Sequence, residues 1–279
     1  MPISKLKNIV ILLLALANVL LLALVLPLQQ EHRQQEALAM ENLHALFDQY
    51  EITLHLESLP ATESLYTLEF SPEPDAALPA VQSLLGEMVL AQDDSTQYLS
   101  LYRSDLGQCQ ISRSGQLEAR LVDRDAENDL SQAASECLEA MGVEVASVSA
   151  PNRGSAGVYT VQAVQQLLGV PVFSSTLEFT FHNSVLTRVE GTVYFDTSNL
   201  YRTDDVTCIS CADALVAFLS NRDALGWVGS SVTGVTQGYL RTETASATLV
   251  RLVPGWQIST DTGSFWVNGI TEQVTPLDA

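Results

Sequence analysis

The chain has 279 residues, 47% of them hydrophobic, with 33 acidic against 13 basic side chains and a net charge of −20. That length and apolar content support a sizeable core, one large domain or two of ordinary size, and exclude a disordered chain. The only lysines, Lys5 and Lys7, precede the first acid, Glu31, so the rest carries 11 Arg against 33 acids, a net of −22. A surface that negative repels polyanions, which excludes nucleic acid as a partner.

Ile9 to Leu26 is an unbroken apolar run apart from Asn18. Eighteen helical residues rise about 27 Å, close to the hydrocarbon thickness of a bilayer. The run ends at Leu26-Pro27-Leu28 without small residues at a cleavage spacing, so it reads as an uncleaved anchor. Lys5 and Lys7 place the N-terminus on the cytoplasmic side. The expected organisation is a cytoplasmic tip at 1–8, a transmembrane helix at 9–27, a juxtamembrane helix at 28–50, a first extracellular module at 51–124 and a second at 125–279. The expected location is a single-pass protein of the cell membrane. Ile11, Ala15, Asn18, Leu22 and Val25 form one seam of the anchor, with a small residue and an amide suited to contact with a partner helix.

Beyond the anchor, residues 29–50 are rich in Glu, Gln, Ala and Leu and read as a helix. Ile52–Leu56 and Leu65–Phe70 alternate as strands. Ser71-Pro72-Glu73 resembles a helix start, with Leu78, Val81, Leu84, Leu85 and Met88 forming its apolar face. Strands at 97–103, 109–113 and 116–122 follow, joined by Gly-containing turns. Asp125 reads as the next N-cap, before a helix with Leu130, Ala134, Cys137, Leu138 and Met141 inside. A helix–stop–strand–proline pattern occurs in both Leu43–Pro60 and Ala134–Pro151. The second half alternates through 158–164, 177–182 and 185–195. A helix capped by Ser210 and Asp213 comes next, then a meander with strands at 232–241, 245–253, 255–259 and 264–267. This order predicts an α+β fold: antiparallel sheets, each covered by helices, outside one N-terminal transmembrane helix, with PepSY-like modules.

The chemistry-bearing residues are sparse. Cys208-Ile209-Ser210-Cys211 opens a helix, as in thiol oxidoreductases, but the surrounding meander lacks the βαβ context of that motif. Cys109 and Cys137 are the other two thiols, and disulfides within this set of four are open in connectivity. His32, His44, His55 and His182 lie in different elements without metal-ligand spacing, so no metal or other cofactor is expected. Neither a nucleophile elbow nor a phosphate loop occurs. Asp93-Asp94 reads as solvated, and Trp256, Phe265 and Trp266 as sheet packing. A non-enzymatic protein follows from these readings.

Several segments resemble the YycH/YycI proteins of Gram-positive bacteria. They are the start Lys5-Leu6-Lys7-Asn8-Ile9-Val10-Ile11 with Asn18-Val19-Leu20-Leu21-Leu22; Val170-Pro171-Val172-Phe173 with Leu177-Glu178-Phe179-Thr180-Phe181 and Val189-Glu190-Gly191; and Leu252-Val253-Pro254-Gly255-Trp256-Gln257-Ile258 with Phe265-Trp266-Val267-Asn268. The likeness covers the anchor and roughly residues 125–279. It departs at Thr271-Glu272-Gln273-Val274, where the family often has Thr-Gly-Glu-Val. The resemblance implies a YycI-like accessory protein that modulates a two-component sensor histidine kinase governing cell-wall metabolism. Its implied partners are that kinase and a paralogous accessory protein. An extracellular PepSY-like module that binds a peptide or restrains a protease is the alternative, followed by an anchored thiol oxidoreductase.

Overall fold

The computed structural model describes residues 37–277, apart from 74, 95–98, 126–128, 196, 198, 204, 245 and 247–248. Its recurring unit is one helix followed by a four-stranded antiparallel meander. The first unit is α2 (Leu78–Leu85) with β3 (Val89–Asp94), β4 (Leu99–Ser104), β5 (Gly107–Ser112) and β6 (Gln116–Asp125). The second is α3 (Leu130–Ala140) with β7 (Val145–Val148), β9 (Val158–Leu167), β10 (Val170–His182) and β11 (Val185–Thr192), plus the short β8 (Asn152–Arg153) beside β9. The third is α4 (Cys211–Asn221) with β13 (Ser231–Thr242), β14 (Val250–Thr260), β15 (Gly263–Asn268) and β16 (Val274–Leu277).

A helix α1 over 37–48, with β1 (Thr53–Leu54), β2 (Leu68–Phe70) and β12 (Tyr201–Arg202), completes the third unit. β1 runs parallel to β13, and β2 lies between β14 and β12. Units one and two join edge to edge through β6 and β11. The third attaches through one parallel bridge, Val172 of β10 to Tyr239 of β13. The helix–stop–strand pattern has a physical basis in shared helix endings. After α1, Ile52 N–H reaches Phe47 O across Glu51 (φ 59°). After α3, Val143 N–H reaches Leu138 O across Gly142 (φ 72°). After α4, Trp227 N–H reaches Arg222 O across Gly226 (φ 65°). Each is the six-to-one bond of a Schellman ending, which requires a left-handed residue.

Two hydrophobic cores result. One holds Leu43, Phe47 and Phe70 with Phe218, Trp256 and Ile258; the other holds Leu84, Leu85, Leu138, Phe179 and Phe181. Alternation along β10 divides that strand between them: Val170 and Val172 enter the first, Leu177, Phe179 and Phe181 the second. Val193 and Tyr194 part in the same way, as adjacent residues facing opposite cores.

The expected architecture requires correction. Of the described residues 46% are strand and 19% helix, and their strands link into one 16-stranded network rather than separate helix-covered sheets. The short helices do not cover that network, and Gln110, Glu118, Arg120, Arg188 and Glu190 remain on a face without a helix. Among the described residues no helix is long and apolar enough to cross a membrane. The transmembrane helix, the signal anchor and the single-pass placement therefore lack support in the fold; residues 9–27, with the Ile11–Ala15–Asn18–Leu22–Val25 seam, lie outside the described residues.

Local expectations shift for identifiable reasons. The helix read from Ser71 begins only at Leu78, with Pro79 in its first turn. Asp129, not Asp125, caps α3, accepting from the N–H groups of Ser131 and Gln132. Ser210 caps α4 as read, accepting from Asp213 N–H. The strands read on either side of Pro254 are one, β14. Pro254 falls at the step where β2 ends opposite Leu252 and β15 begins opposite Gly255, so its missing N–H interrupts no continuous outer ladder.

Candidate functional site

A cleft of about 140 Å³ forms where the loop before α2 crosses β3, β4 and β5. Glu73 and Asp75 enter from the loop, Leu90 and Asp93 from β3, Ser100 and Tyr102 from β4; Tyr194 and Phe195 close the inner end. A bulge between Leu90 and Gln92 makes this grouping possible. It lets Leu90 pair with Tyr102 and Asp93 with Ser100, so all four side chains share one face despite the odd spacing of Leu90 and Asp93. Ser100 Oγ donates to Asp93 Oδ1 at 3.2 Å.

The cleft is electronegative at its rim and aromatic within. Glu73, Asp75 and Asp93 are exposed, while Tyr102 is 9% exposed. Burial raises the Tyr102 phenol pKa, the Ser100 hydroxyl opposes that rise, and the charges of Asp75 and Asp93 add to it. The phenol is thus a neutral donor at ordinary pH. Arg113 also lines the cleft. Carboxylates around an aromatic wall suit a cationic side chain.

Behind the cleft lies a buried polar joint. Gln165 and Ser175 are 5% and 1% exposed. Ser175 Oγ donates to Gln165 Oε1 at 2.6 Å, and Gln165 is bonded to both backbone groups of Tyr194. Arg241 reaches across with one guanidinium N–H on Ser114 O, its backbone N–H on Ser174 Oγ. The Tyr194 hydroxyl is buried without a partner in hydrogen-bond geometry. Burial pushes its pKa up, and the Arg241 cation beside it pulls back.

The cysteines are placed for packing. Cys109, Cys137, Cys208 and Cys211 are all buried and none is in a disulfide, so neither Cys208–Cys211 nor Cys109–Cys137 is bridged. Burial pushes the Cys109 and Cys211 thiols up to about 12 and raises Cys208, opposite to the lowering a nucleophilic thiol needs. Among the described residues no three His, Cys, Asp or Glu side chains are grouped to hold a metal. Trp256 is fully buried with its indole N–H on Ile209 O at 2.9 Å, and Phe265 stacks with Phe218 and Trp227.

Sequence reasoning did not find the cleft. Asp93 read as a solvated loop acid, and Tyr102 and Asp75 carried no motif. The β3–β4 register brings Asp93 to the face of Tyr102 and the loop before α2 adds Asp75, and the bulge that sets the register has no sequence signature. No protein-family model and no curated protein matches the chain.

Proposed function

We propose that the protein is a non-catalytic regulatory protein that modulates a two-component sensor histidine kinase by protein–protein contact. One observation carries this reading: three of the segments behind the YycH/YycI resemblance, 170–173, 252–258 and 265–268, far apart in sequence, meet at a single joint. Val172 bridges to Tyr239, which pairs with Pro254 of β14. Phe173 packs edge-on against Trp266 at 5.9 Å between ring centroids. Gly238 admits this contact, since a Cβ there would lie 2.5 Å from the Phe173 ring. Three resembling segments that meet in one three-dimensional joint support common architecture better than three on unrelated strands.

The raised thiol pKa values favour contact over redox chemistry as the mode of action. The direct test is crosslinking of the full chain in its own cells, followed by identification of captured proteins. Recovery of a sensor kinase, together with altered autophosphorylation when the purified proteins are mixed, is the expected result. Repeated capture of other proteins, with kinase activity unchanged on mixing, would overturn the reading.

A further inference from the structure

We propose that β3 is a docking edge for an extended basic segment of a partner protein, which adds as a further strand and lodges a Lys or Arg side chain in the adjoining acidic cleft. The proposal rests on the reading of the chain as a protein-contact module, and names where that contact is made and by what chemistry.

Among the described residues β3 is bonded on one side only, to β4, and ends its sheet. Free edges invite pairing, and folded proteins blunt them by shortness, proline, charged side chains or a bulge. The other free edges among the described residues are blunted in this way: β1, β8 and β12 have two residues each, β7 has four, and β16 carries Pro276. β3 has six residues with neither proline nor lysine, and although it carries the bulge between Leu90 and Gln92, its aspartates turn away acidic strands and not basic ones. It also presents Val89 and Leu90 at 67% and 55% exposure, large for such side chains. An incoming strand meets this backbone edge and an apolar pair together.

Charge selects the occupant. The strand runs from apolar Val89-Leu90-Ala91 to acidic Asp93-Asp94, and Leu90 and Asp93 also line the cleft. Side chains of an added strand alternate between faces, so one beside Asp93 projects on the cleft side, toward Glu73, Asp75 and Tyr102. A cation there meets three carboxylates and an aromatic wall. The chain beyond Lys7 has no lysine and a net charge of −22, from 11 Arg and 33 acids, which steers a basic segment inward and disfavours a second copy.

The test titrates the full chain with two synthetic decapeptides, one alternating Lys and Val and one alternating Glu and Val. Saturable one-to-one binding of the Lys–Val peptide alone is expected. Asp75→Asn with Asp93→Asn should weaken it by about tenfold or more, as should Val89→Lys with Leu90→Lys. Leu168→Lys, exposed in the distant β9–β10 turn, should leave it unchanged. Equal binding of both peptides, or parental affinity in both the folded double variants, overturns the proposal. So does a parental dimer that the Val89→Lys variant dissolves, since the edge would then hold a second copy. Kinase capture separates the two readings: capture without peptide binding leaves the regulatory function standing and removes the docking edge, whereas peptide binding without capture does the reverse.

Discussion

Gln165 and Tyr194 form a closed ring: the Gln165 amide nitrogen donates to Tyr194 O at 2.6 Å, and Gln165 Oε1 accepts from Tyr194 N–H at 3.0 Å. A side-chain amide has the same donor–acceptor pair as a backbone amide, so Gln165 acts as a one-residue strand where the chain passes from one core to the other. Gln165→Leu keeps the volume but strands the Tyr194 backbone groups and loosens the Ser175 hydroxyl. With unsatisfied buried groups at about 1–3 kcal/mol each, a loss of roughly 2–5 kcal/mol is expected, read from urea unfolding midpoints. A loss below ~1 kcal/mol would show that the ring is dispensable.

Glu69 and Arg251 make the second test. Glu69, 8% exposed at its side chain, lies between Tyr201 and Arg251 on neighbouring strands and is bonded to both. Arg251 is 46% exposed, which screens the pair. Arg251→Met should cost about 1–3 kcal/mol by leaving a buried carboxylate with one neutral donor. Adding Glu69→Leu should recover part of that loss, and a double-mutant cycle measures the recovery. Strict additivity would mean the two residues do not interact.

The buried thiols predict slow chemistry. With the Cys211 and Cys109 pKa values near 12, about one thiol in ten thousand is ionised at pH 8 in the folded chain. Thiol-reactive dye should label all four cysteines in denaturant and none at a comparable rate in native buffer. Rapid native labelling of Cys208 or Cys211 would revive the redox alternative.

The same burial sets a pH dependence. Cys109 and Cys211 are raised from 9.0 to about 12, and Tyr239 from 10.0 to about 12. In the unfolded chain these groups give up protons from about pH 9 upward, while the folded chain retains them. Their contribution to stability is therefore complete below about pH 9 and is lost as pH climbs toward 12. Melting temperature should fall over that window, and Cys109→Ser with Cys211→Ser should flatten the fall even where it lowers the starting value.

Gly238 tests the joint between the sheets. A Cβ at this position would meet Pro171 O at 2.6 Å and the Phe173 ring at 2.5 Å. Backbone cannot give way as a flexible side-chain end can, so Gly238→Ala should destabilise by roughly 1–3 kcal/mol. Gly234→Ala on the same strand is the control, its nearest contact being an ordinary 3.9 Å. Equal stability of the two variants would place the β10–β13 attachment elsewhere.

Much of the strand content was legible because apolar residues alternate cleanly, as at Leu177, Phe179 and Phe181, all buried. The Ser210 cap was legible because its chemistry is local. What could not be read is long-range: Val172 against Tyr239, β1 beside β13, Asp93 beside Ser100 across a bulge. No periodicity encodes those pairings. The 71–77 approach to α2 misled because Ser-Pro-Glu is a helix start by composition, whereas the chain spends those residues forming the cleft wall. The apolar run at 9–27, the strongest pattern in the sequence, lies outside the described residues.

The placement of α1 bears on synthesis and folding. Leu43 and Phe47 share a core with Phe218 and Ile258, whereas residues 78–193 close a core of their own in between. As the chain emerges from a ribosome, much of the core that α1 joins, including Phe218, Trp256 and Ile258, is still to be made. The middle units can settle first, and the last core forms by capturing the earliest segment across the longest loop in the molecule. The expected consequence is a slow final phase in refolding, which truncation of Phe47 should slow further while leaving the early phase untouched.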